Sequence, residues 1–134
     1  MRRYILIVFL AIASIQLSCK EGGRRSEEAP VASIHVVSTE VYKEVIKDDN
    51  VTLIDVRTPK EFAEGSLPGA VNIDYYDQKN FFDAFDKYDR KEPIYIYCRT
   101  GNRSIPTAQK LVEMGFEEIY DMEGGYMQWT KDNQ

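Results

Sequence analysis

A chain of 134 residues, 43% of them hydrophobic, is long enough to bury one real core and reads as one domain. Its formal charge of −5 excludes a general affinity for nucleic acid and otherwise argues only for solubility. No internal repeat is visible.

The first residues stand apart from the fold. Arg2 and Arg3 precede an apolar run over 4–15, followed by Leu17-Ser18-Cys19. A basic n-region before an apolar h-region is the pattern of an export signal. The run is shorter than the ~20 residues of a spanning helix. The stretch resembles a bacterial lipoprotein signal, which predicts removal of 1–18 and lipidation of Cys19. Gln16 and Leu17 depart from that pattern. Cleavage after Ala11-Ile12-Ala13 is the alternative, and it would leave Cys19 a free thiol. Residues 19–31, rich in Gly and charge and without apolar periodicity, are expected to be a flexible tether. The folded domain is placed at 32–134. This predicts an exported protein held to a membrane face, periplasmic or exterior, by a lipid on Cys19.

Beyond the tether, apolar runs alternate with helical patterns. Residues 33–37 form a β-branched strand. Ser38 or Thr39 caps a helix to about residue 47, with Val41, Val45 and Ile46 inward. Residues 51–56 make a second strand. Pro59 opens a short helix over 60–64, which Gly65 ends. A turn and a brief strand, 70–73, precede an amphipathic segment over 79–88 with Phe81, Phe82 and Phe85 clustered. Residues 93–98 form a strand ending on Cys98. Residues 103–114 are helical, with Pro106 in the first turn and Ile105, Ala108, Leu111 and Val112 on one side. Residues 117–122 are the last strand, and a final short helix follows the Gly124–Gly125 turn. Strand–helix alternation predicts an α/β domain with a mainly parallel sheet covered on both faces. Ligands of such sheets bind beyond the strands' carboxyl ends. Cys98 and the Asp55–Arg57 stretch both lie there.

Cys98 is the only thiol of the folded part, without a disulfide partner or companions for a zinc site. An exported protein meets an oxidising compartment, where a lone thiol needs a reason. The segment "CRTGNR" turns at Gly101 and feeds a helix N-terminus, whose N–H groups lack intrahelical partners and favour negative charge. Such a loop can curl into a nest of donors around an anion. Arg99 and Arg103 add full positive charge. Cys98 is therefore expected to ionise below its reference of about 8.5.

Four segments together resemble a single-domain rhodanese, a sulfurtransferase family: "LIDVRTPKEFAEGSLPGAVNI", "IYIYCRTGNRS", "AQKLVEMGFEEIYDMEGG" and "GGYMQW". They run in family order over roughly 34–131. The resemblance implies a three-layer domain with a mainly parallel five-stranded sheet flanked by helices. It implies that Cys98 takes a sulfane sulfur from thiosulfate or a persulfide donor, carries it as a persulfide, and passes it to a thiol, cyanide or protein acceptor. No cofactor and no metal are implied, and a monomer is expected. Thr100, Gly101 and Asn102 are to supply backbone N–H groups, Arg103 is to close the loop, and Ser104 is counted in the same anion-binding loop. Arg103 is to point inward to a carboxylate and Arg99 outward to a substrate anion. Asp55 and Arg57 are expected in a salt-bridge network at the rim, with Arg57 paired to Glu61. Tyr126 and Trp129 read as core aromatics and His35 as a structural histidine. One departure is Ser66, where the family commonly has a histidine.

Three other readings compete. A Cys-based phosphatase or arsenate reductase would suit a longer loop than the six residues from Cys98 to Arg103. A non-catalytic binding or sensing module usually lacks the cysteine. A dithiol redox cycle lacks a resolving cysteine.

Overall fold

The computed structural model describes residues 31–134; the signal, Cys19 and most of the tether expected from the sequence lie outside the described residues. In chain order the elements are β1 (Ser33–Val37), α1 (Thr39–Val45), β2 (Thr52–Asp55), α2 (Pro59–Ala63) and β3 (Val71–Asn72). They continue with α3 (Phe81–Phe85), β4 (Ile94–Tyr97), α4 (Ser104–Glu113), β5 (Glu118–Met122) and α5 (Gly125–Asp132). The strands form one five-stranded sheet in the order β1-β5-β4-β2-β3. Every pairing is parallel, so the sheet is more uniform than the expected mainly parallel one.

Side chains alternate across a strand, so each strand feeds two cores. Ile54, Ile96 and Cys98 join Phe81, Phe85, Leu111 and Phe116 on the side of α3 and α4. Leu53, Tyr97 and Met122 join Tyr42, with Tyr126 and Trp129 packed against them, on the side of α1 and α5. Both faces are covered, which explains the near-continuous apolar strands.

Three inward faces differ from the sequence reading. Tyr42 is the buried anchor of α1, its hydroxyl donating to the Ile96 carbonyl at 2.6 Å, whereas Val41 is exposed. An aromatic long enough to span the layer displaces the smaller valine. Phe82 and Ile105 are also exposed, because α3 and α4 each turn a narrower stripe inward than the apolar pattern covers. Ser38 occupies the N-cap of α1 without a side-chain cap bond, and the Thr39 hydroxyl instead donates to Asp132 Oδ2 at 2.6 Å.

The strand order places the site. The connection leaving β2 runs outward to β3, whereas the one leaving β4 runs the opposite way to β5. Two crossovers diverging from adjacent strands open a crevice at their carboxyl ends. Asp55 and Tyr97 are register partners there, one residue before Cys98.

Candidate active site

The loop leaving β4 wraps around a sulfur. Cys98 is buried at its floor, 1% exposed, and is a free thiol. Gly101, at φ 106°, turns the chain back so that its N–H donates to Cys98 Sγ at 3.0 Å. A side chain at that φ would be strained, which is why glycine stands there. The Ser104 hydroxyl donates to the same sulfur at 3.5 Å. Burial opposes ionisation of Cys98, but the Ser104 hydroxyl and backbone donors of Arg103, Ser104 and Thr100 outweigh it. The thiol is therefore held below its ordinary range.

Arg103 and Glu61 brace the loop across the crevice. The Arg103 guanidinium donates to both Glu61 oxygens, at 2.7 and 2.8 Å. Glu61 is fixed in turn by a capping box, accepting from the Thr58 N–H at 3.0 Å while the Thr58 hydroxyl accepts from the Glu61 N–H at 3.3 Å. The Arg103 bonds are the chief cause that holds the Glu61 carboxyl down at about 2.

Arg57 does not pair with Glu61, as the sequence reading expected. Its Nε and Nη2 fork onto Asp55, with Nη2 to Oδ2 at 2.6 Å, and the pair is almost wholly buried. Nη2 also donates to the Gly65 carbonyl at 2.6 Å. Asp55 ends β2 and lies two residues from Arg57, so the short path within one loop wins over the longer reach to α2. The Arg57 guanidinium lies 4.0 Å over the Tyr126 ring. Tyr126 is thus a wall of the site as well as a core aromatic, stacked on Tyr97.

Arg99 is exposed, and together with Arg57, Glu61, Tyr126 and Met127 it lines an open groove of about 280 Å³ beside the loop. Asn102 and Thr100 sit on the loop's outer surface. Trp129 packs on the α1/α5 core, and His35 stacks on Tyr120 at 4.8 Å, away from Cys98.

The sequence reading assigned Gly124–Gly125 only a close turn. At φ 68° and 60°, this turn lets the start of α5 seat directly under the loop. The Tyr126 and Met127 N–H groups donate to the carbonyls of Cys98 and Arg99, at 2.8 and 3.0 Å. A Cβ on Gly125 would lie 2.6 Å from the Cys98 oxygen and the Arg99 carbonyl carbon. The paired glycines were the signal for this seat. The burial of Asp121 in the sheet beside Ile96 was missed altogether, because an acidic residue inside a strand pattern reads as solvent-facing.

The comparisons with known proteins agree with this geometry. The Rhodanese-like domain family matches residues 38–132. The thiosulfate sulfurtransferase GlpE of Glaesserella parasuis is 34% identical over 88 residues, covering 66% of this chain and 79% of that protein. The adenylyltransferase and sulfurtransferase UBA4 of Meyerozyma guilliermondii is 38% identical over 101 residues, covering 72% of this chain. This chain spans only 24% of that longer relative. The crystal structure of a rhodanese-related protein from Thermoplasma volcanium superposes with a TM-score of 0.63 at 28% identity, covering 73% of this chain and 92% of that one. With its five-stranded parallel sheet between helices and its sulfurtransferase relatives, the chain belongs to the rhodanese-like family.

Proposed function

We propose that this protein is a sulfurtransferase that moves a sulfane sulfur through a persulfide on Cys98. The observation that carries the reading is the convergence of the Gly101 N–H and Ser104 hydroxyl on Cys98 Sγ, at 3.0 and 3.5 Å, in a loop braced by Arg103. The Cys98 thiolate attacks the outer sulfur of thiosulfate. The bond between that sulfur and the sulfonate breaks, and sulfite leaves with the electron pair. The persulfide anion stays in the ring of loop donors, which favours it as it favours the thiolate. An acceptor such as cyanide or a thiolate then attacks the terminal sulfur and regenerates Cys98. Arg99, exposed on the groove, meets the incoming anion, and the backbone of Thr100, Gly101 and Asn102 forms the cradle. Asp55 and Arg57 stiffen the opposite wall. No cofactor or metal enters this cycle. The family membership and the thiosulfate sulfurtransferase among the relatives support the assignment.

The test is intact-mass measurement after incubation with thiosulfate, paired with a thiocyanate assay. One added sulfur on the wild type, absent from Cys98→Ser, is the expected result. No adduct with thiosulfate or any persulfide donor would defeat the reading.

For location we propose a lipid on Cys19 that tethers a monomeric domain to a membrane face outside the cytoplasm. The n-region, h-region and Leu17-Ser18-Cys19 order support it. No helix among the described residues is long and apolar enough to cross a membrane, so attachment would rest on the lipid or on residues 1–30. Fatty-acid labelling of cells expressing the full chain should mark the wild type and spare Cys19→Ser.

A further inference from the structure

β1 lies at an edge of the sheet, and Ile34 and Val36 on it are 44% and 61% exposed. The other edge is blunted, since β3 has only two residues. β1 has five, Ser33–Val37, with no proline, acid, lysine or arginine among them. Such an edge is a template for a further strand.

The ladder to β5 sets which of its groups are free. The Ser33 N–H donates to the Glu117 carbonyl at 2.8 Å, and the Val37 carbonyl accepts from the Glu123 N–H at 2.9 Å. Backbone groups alternate in direction along a strand, so those of His35 also face β5, while those of Ile34 and Val36 face outward. Side chains alternate between the faces as well. Ile34 and Val36 share one face. His35 stands on the other, where its ring stacks on Tyr120 at 4.8 Å and Tyr120 stacks on Tyr95 at 4.6 Å. That row of rings crosses three strands in register and ends on the exposed His35.

We propose that β1 pairs with β1 of a second copy of this chain, antiparallel and about a two-fold axis through His35. The strand is complementary to itself in that register. Ile34 and Val36 of one copy lie opposite Val36 and Ile34 of the other, and their outward N–H and C=O groups bond to one another with none left over. The same pairs bury the exposed β-branched side chains against each other. His35 meets its own counterpart, which joins the two rows of rings. An axis through Ile34 would set Val36 against Ala32, and an axis through Val36 would set Ile34 against Ser38, so either loses the apolar pair. β5 lies between β1 and β4, so pairing leaves both Cys98 crevices open. A strand of this length buries much less than the ~1,600 Å² of a standard interface. The domain is therefore a monomer when dilute and pairs as its concentration rises.

Cysteine cross-linking of the full chain with a mild oxidant tests the register. Mass mapping of the bridged peptides tells the designed links from any through Cys19 or Cys98. In a non-hydrogen-bonded antiparallel pair the Cα atoms lie about 4.5 Å apart, within disulfide reach. His35→Cys is expected to bridge to its own counterpart. Ile34→Cys and Val36→Cys each lie about 7–8 Å from their own counterparts. Each should stay unbridged alone, and the two should bridge when mixed. His35→Cys that stays unbridged overturns the proposal, and so does Ile34→Cys that bridges alone as readily as His35→Cys. Val36→Lys enters the interface twice and should weaken self-association in sedimentation by about tenfold. An unchanged association constant overturns the pairing. Hydrogen exchange of the wild type needs no variant: the Ile34 and Val36 amides should exchange more slowly as concentration rises. Exchange that does not depend on concentration overturns the proposal.

Discussion

Two neighbouring loops leave the same edge of the sheet and use their backbone donors in opposite ways. After β2, the Arg57 N–H donates to Asp55 Oδ1 at 2.9 Å, and the Thr58 and Glu61 N–H groups are taken by the capping box. Those donors end on oxygens that the protein supplies. After β4, the Arg103 N-cap makes no side-chain cap, and the donors converge on one sulfur. A helix N-terminus closed by its own caps is a structural joint, whereas one left uncapped around an ionisable atom is a place for chemistry. The first loop serves the second, because its capped Glu61 is the anchor that Arg103 grips.

Several changes would break or sharpen that contrast. The largest effect belongs to Cys98→Ser, which removes the atom that the uncapped loop encloses. Thiocyanate formation should fall to background while the thermal midpoint stays near wild type. Gly125→Ala comes next. Its Cβ would press on the backbone of Cys98 and Arg99 at 2.6 Å, from a φ that disfavours a side chain. We expect a loss of about 1–3 kcal/mol in denaturant melts. Sulfur uptake should fall by up to about 100-fold, since a small displacement of reacting groups is enough for that.

Glu61→Gln weakens the brace between the loops and leaves Arg103 half-paired in a partly buried place. Stopped-flow sulfur loading should slow about tenfold, the equivalent of losing ~1.4 kcal/mol of loop organisation. The same residue gives a pH signature. The folded Glu61 carboxyl sits at about 2, below the ordinary carboxylate value of 4.5. Its contribution to stability is therefore complete above that ordinary value and is lost as pH falls towards 2. Acid unfolding followed by circular dichroism should be flatter over that window in Glu61→Gln. The smallest effect is expected from Thr58→Ala, which removes a cap from the structural loop. It should cost about 1 kcal/mol of stability and leave sulfur loading close to wild type.

Much of this molecule was legible in the residues alone. Continuous apolar strands, helical periodicity between them and a cysteine at a strand end before a glycine turn are local features, set by side-chain period and backbone freedom over a few residues. They located the layers, the rim and Cys98. The partners of the charged groups were not legible in the same way. Glu61 and Arg103 are 42 residues apart and meet only because β2 and β4 are neighbours in the sheet. Arg57 could reach Glu61 on paper, yet burial beside Asp55 and under Tyr126 takes it elsewhere. The seat that Gly125 offers the loop and the burial of Asp121 in the sheet likewise arise where β5 and α5 pack against β4 and α4. The sequence by itself determined where the thiol of the folded part sits, because a cysteine at a strand end before a glycine turn is a local fact. The tertiary structure decided what surrounds that atom, because strand order, which no local periodicity encodes, sets which distant residues share a crevice.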